Sequence, residues 1–438
     1  MRLAVLATAV AATLAIAMPA RAEVRPEVDA AAKAVQAQVV SWRRDFHEHP
    51  ELSNREERTA KVVADALRKM GLTPRTGIAH HGVVAIIQGG KPGPKLALRA
   101  DMDALPVTER VDLPFASKVT TTFNGQTTGV MHACGHDAHT AMLLGIAQSL
   151  VKMRKDLPGQ VMLIFQPSEE GAPVGEEGGA SLMLKEGLFK DFKPDAVFGM
   201  HVFSTVQVGQ IAVRSGPEMA ASDRFNITVH GRQTHGSRPW GGIDPIVTAS
   251  EIVTSSQSIV ARRTNIAQLP VVVTFGAING GIRYNIIPDD VKMIGTIRTF
   301  DEGMRQKVFA DLKNVAEHVA AANGATVEAN VPDTQGNPVT YNDPSLTARM
   351  LPSLKATVGD ANVIEPPLQM GAEDFSYYAK EVPGLFFFVG STSEGIDPQA
   401  APSNHSPEFK LDEKSLDIGL RAMLEATLDY LDMPKAGA

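Results

Sequence analysis

The strongest constraint on this chain is a change of rhythm near Ser215. Before it, short apolar runs alternate with helical spacings. Val83 to Gln88, Leu96 to Asp101, Val161 to Gln166 and Ala196 to His201 read as buried strands. Val28 to His47, Arg55 to Met70, Ala138 to Met153 and Ala180 to Glu186 carry helical periodicity, and Gly71 and Gly187 act as stops. Such alternation predicts a mostly parallel sheet with helices on both faces. The order then becomes strand, helix, strand, strand, helix, strand. The strands are Arg224 to His230, Val271 to Ala277, Val291 to Thr299 and Thr326 to Val331. One helix opens at Asp244-Pro245, a cap followed by proline, and runs to about Arg263; the other is Met304 to Ala322. This is the ferredoxin-like α+β arrangement, and its length suits a small domain. After it the first style returns, with a helix over Pro344 to Val358, a strand over Leu385 to Val389 and a helix over Leu411 to Leu431. The expected organisation is an α/β domain over 23–215 and 332–438 with a second domain, 216–331, inserted into it. A chain of 438 residues is long enough for two cores.

The first 22 residues read as an address. Arg2 precedes the apolar run Leu3 to Met18, and Ala20 and Ala22 fit an A-x-A cleavage site before Glu23. The run is short for a membrane span. The expected product is a soluble protein, periplasmic or secreted, with no membrane association after cleavage. The formal net charge of -7 argues against a nucleic-acid partner, and 5% aromatic content offers no stacking platform for bases.

A single cysteine in an exported chain cannot form an internal disulfide. Cys134 stands in Met131-His132-Ala133-Cys134-Gly135-His136-Asp137-Ala138-His139, among histidines that share its affinity for borderline-soft divalent metals. It is read as a metal ligand with His136, against a small buried loop residue. In open α/β sheets, sites form at the carboxyl ends of strands. Asp101 and Asp103, Glu169-Glu170, and His201 all follow apolar strands. Two adjacent acids are either a solvated turn or one metal ligand beside one free base. Asp101 and Asp103 share a strand face, so one of them can orient a ligand histidine or cap a turn. His201, His405 and His235 each have an ordinary structural reading when taken alone.

Taken together, the polar stretches carry a resemblance. They are Arg43 to Glu51, Arg99 to Pro106, Met131 to His139, Phe165 to Gly171, Gly280 to Pro288, Gly371 to Tyr378 and Asn404-His405. The chain resembles the dinuclear metallo-amidohydrolases of the aminoacylase, hippurate hydrolase and indole-acetyl-amino-acid hydrolase type. The resemblance implies a zinc-peptidase-like catalytic domain with the insert as lid and homodimer surface. It implies two divalent ions, zinc by preference with manganese, cobalt or nickel as alternatives, held by Cys134, His136, Glu170, His201 and His405. Glu169 is then the general base, and Asp103 supports the metal-site histidine. His235 steadies the oxyanion, in several relatives across a dimer interface, and Asn285 faces the substrate. The implied reaction is hydrolysis of N-acyl amino acids. The alternatives are a carboxypeptidase or dipeptidase on short peptides, and a non-catalytic periplasmic binding protein. Two departures stand out. The loop Gly171 to Glu177 is longer than the common pattern. Arg283 replaces a small residue, and is expected to bind a substrate carboxylate or a neighbouring acid, or to form a surface salt bridge.

Overall fold

The computed structural model describes residues 23–433. The leader assigned to residues 1–22 lies outside the described residues. The main sheet has eight strands, in the order Arg75–Ile78, Gly82–Gln88, Pro158–Gln166, Lys91–Asp101, Ala196–Gln207, Gly384–Thr392, Ile211–Ala212 and Val363–Ile364. Its centre is parallel: Pro158–Gln166, Lys91–Asp101, Ala196–Gln207 and Gly384–Thr392 pair in one direction. Antiparallel pairs sit towards the edges. Helices cover both faces, as the alternation requires. On one face Val35, Leu144 and Leu420, from helices Pro26–Glu48, His136–Met153 and Lys414–Leu431, join one core. On the other, Met183 and Tyr378, from Gly179–Lys185 and Phe375–Glu381, pack against the opposite side. Strand Gly384–Thr392 is buried at every position, which is why it reads as a continuous apolar run.

The inserted region forms its own four-stranded antiparallel sheet, in the order Val272–Gly280, Asp290–Thr299, Ala221–His230 and Thr326–Asn330. Helices Pro245–Ser258 and Glu302–Ala322 contribute Ile252, Val308 and Leu312 to its separate core. Asp244 caps the first helix by accepting N–H groups of Ile246 and Val247, and Asp301 caps the second at Met304. This is the expected ferredoxin-like arrangement. Two short strands, Gly216–Met219 and Thr340–Asn342, pair beside the main sheet where the chain leaves for the insert and returns.

Three local expectations differ. His201 does not end its strand: Ala196–Gln207 runs on, with His201 opposite Phe388 in the parallel ladder. The helix from Pro245 is α-helical to Ser258 and continues to Arg263 as a π turn. The hairpin Thr120–Phe123 and Gln126–Gly129 carries no apolar alternation, and so leaves no periodic signal.

Candidate metal centre

Three central strands, the start of helix His136–Met153 and one late loop deliver the polar groups. Cys134 and His136 flank Gly135 at the start of helix His136–Met153. Gly135 has φ of 96°, and a Cβ there would meet Val202 at 2.3 Å. The cysteine–histidine turn therefore requires glycine. His405 comes from the far end of the chain in a left-handed conformation, its N–H donating to the Ala133 carbonyl at 2.7 Å. Asn404 ties this loop down by donating to the carbonyls of Cys134 and Val202.

The five expected ligands converge. His201 Nε2 and His405 Nε2 each lie 3.3 Å from Cys134 Sγ, and His405 Nε2 lies 3.2 Å from Glu170 Oε1. Their donor atoms form two trios, Cys134-His136-His201 and Cys134-Glu170-His405, that share the thiol. The tautomers suit ligation. His201 Nδ1–H donates to the Val202 carbonyl at 2.6 Å, and His136 Nδ1–H donates to the Asp103 carbonyl at 2.9 Å. Each ring therefore turns an Nε2 lone pair inward. His136 Nε2 is buried without a hydrogen-bond partner. A buried, aimed and unpaired nitrogen beside a thiol and carboxylates is a donor set that fits divalent ions.

His139 belongs to the same motif but has neither nitrogen free. Its Nδ1–H donates to Asp101 at 2.6 Å, and its Nε2 accepts the Val202 N–H at 2.8 Å. It braces the strand that carries His201. Arg43 and His47 brace Asp137 in the same way, both at 2.8 Å. The first matched stretch thus acts as support for the helix that follows Cys134.

Electrostatics point the same way. Burial, then Glu170 and Glu169, push the Cys134 thiol well above its ordinary value. Burial, then Glu373, Glu170 and Asp374, hold Glu169 well above the usual carboxylate range, with Arg99 opposing. Burial opposes charge on His136, but Asp101 and Asp103 outweigh it and raise His136 to about 10. Such a concentration of acids favours a cation, which would in turn deprotonate a coordinating thiol.

Asp103 sits under the acid pair: its two carboxylate oxygens accept the N–H groups of Glu169 and Glu170, each at 3.0 Å. Arg99 has no part in the expected site, yet it organises the layer beneath. Its guanidinium bonds Gln166, Asp101, Asp374 and Glu373 at 2.6–2.8 Å, fully buried. The pair Glu373-Asp374 was visible only as part of a matched stretch.

Cys134, Glu169, Glu170, His201 and His405 line a cavity of about 320 Å³ whose apolar wall is Phe203, Met219 and Phe388. His235, Asn285 and Arg283 do not line it. They lie together in the insert, where His235 pairs opposite Ile286 and Arg283 is exposed on the adjoining turn. Asn285 Oδ1 is buried and finds no partner among the described residues.

Residues 97–429 match the model of peptidase family M20/M25/M40. The chain belongs to that family. It is 41% identical over 391 residues to thermostable carboxypeptidase 2 of Saccharolobus solfataricus, covering 89% of this chain and 94% of the relative. It is 37% identical over 398 residues to an N-acetyl-L-cysteine deacetylase of Bacillus subtilis, covering 91% and 89%. Among solved structures, the Bacillus subtilis YxeP protein, described as a dinuclear metal-binding peptidase of this family, superposes with a TM-score of 0.74 at 34% identity, covering 91% of this chain and 99% of that one. This M20 protein is a metal-dependent hydrolase of amide bonds whose centre takes two divalent ions, and the binding-protein alternative is not favoured.

The buried Arg99 generates a stability prediction. Arg99→Ala leaves Asp101, Glu373 and Asp374 without their shared guanidinium. Loss of one partner from a buried ionic network costs about 3–5 kcal/mol. Urea unfolding of the metal-free variant should show that loss, and an unchanged midpoint would contradict it.

Proposed function

We propose that the chain hydrolyses N-acyl amino acids of the hippurate kind to a carboxylic acid and a free amino acid. The observation that carries this reading is the position of Glu169. Its carboxylate lies 3.9 Å from His136 Nε2, beside the five-donor cluster and on the same cavity as Phe203, Met219 and Phe388. An apolar wall next to a proton carrier suits an acyl group placed beside its scissile amide. A relative named as an N-acetyl-L-cysteine deacetylase supports the same substrate class. A short peptide presents a similar amide, and a relative named as a carboxypeptidase keeps that second reading in view.

In this reading Cys134, His136, Glu170, His201 and His405 hold the two ions. When bound, such ions lower the pKa of water and polarise a carbonyl. Asp103 fixes the backbone of the acid pair, so that Glu170 faces the cluster and Glu169 faces the substrate. Glu169 takes the proton from the attacking water and later gives it to the departing amine nitrogen. Burial and the acidic neighbours that together raise Glu169 make it a better proton acceptor than an ordinary carboxylate. The soft Cys134 donor favours zinc, with manganese, cobalt or nickel able to substitute. Export by residues 1–22 is part of the proposal, with Glu23 as the first mature residue, which the intact mass of the recovered protein reads.

The test is hydrolysis of hippurate, N-acetyl amino acids and dipeptides by metal-reconstituted protein, with a chelator as control. Glu169→Gln should lower kcat by about 10²–10⁴-fold, the usual worth of general acid–base catalysis, at unchanged metal content. Full turnover in that variant would sink the scheme.

We further propose that His235 and Asn285 complete the site from a second copy of the chain, docked through the insert. Their absence from the cavity lining and the unpaired Asn285 Oδ1 support this. Mixing inactive His235→Ala with inactive Glu169→Gln should then restore about a quarter of wild-type activity, because half the dimers are mixed and each mixed dimer has one intact site. No recovery after verified subunit exchange would contradict the sharing.

A further inference from the structure

The segment that carries Glu169 and Glu170 is rich in glycine, and something must hold it. Ser168 to Gly178 includes Gly171, Gly175 and Gly178, and Val174 at its tip is exposed. A loop of this composition is conformationally free on its own. Ser168, the residue before Glu169, has φ of 59°, an uncommon conformation for a residue with a side chain.

We infer that Glu56 and Asn54 are positioning residues that clamp both ends of this loop and thereby fix where Glu169 and Glu170 point. Glu56 Oε1 accepts the Ser168 N–H at 2.8 Å and the Asn54 N–H at 3.1 Å. Asn54 is itself left-handed, with φ of 59°. Its side-chain Nδ2 donates to the Glu177 carbonyl at 3.0 Å and to Glu176 Oε2 at 3.1 Å. One carboxylate therefore holds the loop's entry, and the residue two positions before it holds the exit. The two ends close on each other: a Cβ on Gly178 would stand 2.6 Å from Ser168 Oγ and 2.7 Å from Asn54 Oδ1.

The consequence for the reactive pair is direct. Three consecutive N–H groups, of Ser168, Glu169 and Glu170, are taken by two buried carboxylates, Glu56 and Asp103. Neither rotation nor retreat of the turn is open while both acceptors are in place. Glu56 is fully buried at the start of helix Glu57–Lys69 and does not line the cavity. Its direct hold on the reactive pair is through the Ser168 backbone N–H. The clamp works by accepting hydrogen bonds and does not need a negative charge, because the carbonyl oxygen of a glutamine accepts the same two N–H groups.

This inference rests on the reading of Glu169 as proton carrier and Glu170 as metal ligand. It is tested with metal-loaded Glu56→Ala, Glu56→Gln and Asn54→Gly, assayed beside wild type and Glu169→Gln on the best substrate of the panel. Folding is checked by circular dichroism, and kcat is expressed per bound metal. Glu56→Ala should lose about 100-fold in kcat, the scale of a misplacement of about 1 Å, while KM moves less than about threefold. Glu56→Gln should keep at least about a third of wild-type kcat, because its amide oxygen still accepts both bonds. Asn54→Gly keeps the left-handed backbone but frees the loop's exit, and should lose about tenfold in kcat. A purely structural role would lower melting temperatures without separating kcat from KM. Wild-type kcat in folded Glu56→Ala would overturn the clamp, as would a glutamine variant no better than alanine. If Glu56→Ala does not fold, wild-type kcat in Asn54→Gly overturns it. Full turnover in Glu169→Gln would instead remove the reading on which the inference rests.

Discussion

Asp101, Asp103, Glu169, Glu170, Glu373, Asp374 and the Cys134 thiol crowd into one end of the main sheet, and most of them are buried. Bringing so many acids out of water is costly unless cations and N–H donors meet them. Arg99 answers for Asp101, Glu373 and Asp374. Backbone N–H groups answer for Asp103. What is left over is the thiol, Glu169, Glu170 and an unpaired His136 Nε2, within a few ångströms of one another. That remainder is the donor set that would hold a pair of divalent ions, and the rest of the site is arranged around it.

The fold makes this concentration affordable in structure. The parallel centre of the sheet aligns the ends of Lys91–Asp101 and Pro158–Gln166 with His201 on the neighbouring strand. Helices on both faces close the core beneath. The bracing is layered: Arg43 and His47 hold Asp137, His139 holds the His201 strand, and Asn404 ties the last loop to Cys134. The insert keeps a separate core, and its His235 and Asn285 do not line the cavity.

Much of this was legible in the sequence because the ligand types stand beside apolar runs. Cys134, Glu170 and His201 are marked by their residue type and their strand or helix, and the family order links them to His405. The ferredoxin-like insert was legible from its strand and helix order. The Arg99 layer was not, because Arg99 and Asp374 are 275 residues apart and no local pattern joins them. His139 shares the residue type of the ligands, and the direction of its two nitrogens assigns it to support. The Glu56 clamp was hidden for the same reason, since its partner is a backbone N–H 112 residues away. Long-range pairing of polar atoms leaves no periodic trace, whereas burial does.

The central claim is that Cys134 is the donor common to two metal positions. Metal analysis by mass spectrometry of reconstituted wild type and Cys134→Ser, each confirmed folded, tests it most directly. The account predicts two divalent ions per wild-type chain and a fall in both occupancies in Cys134→Ser, with the insert's fold unchanged. Full retention of two ions by the serine variant at the same metal concentration would contradict it.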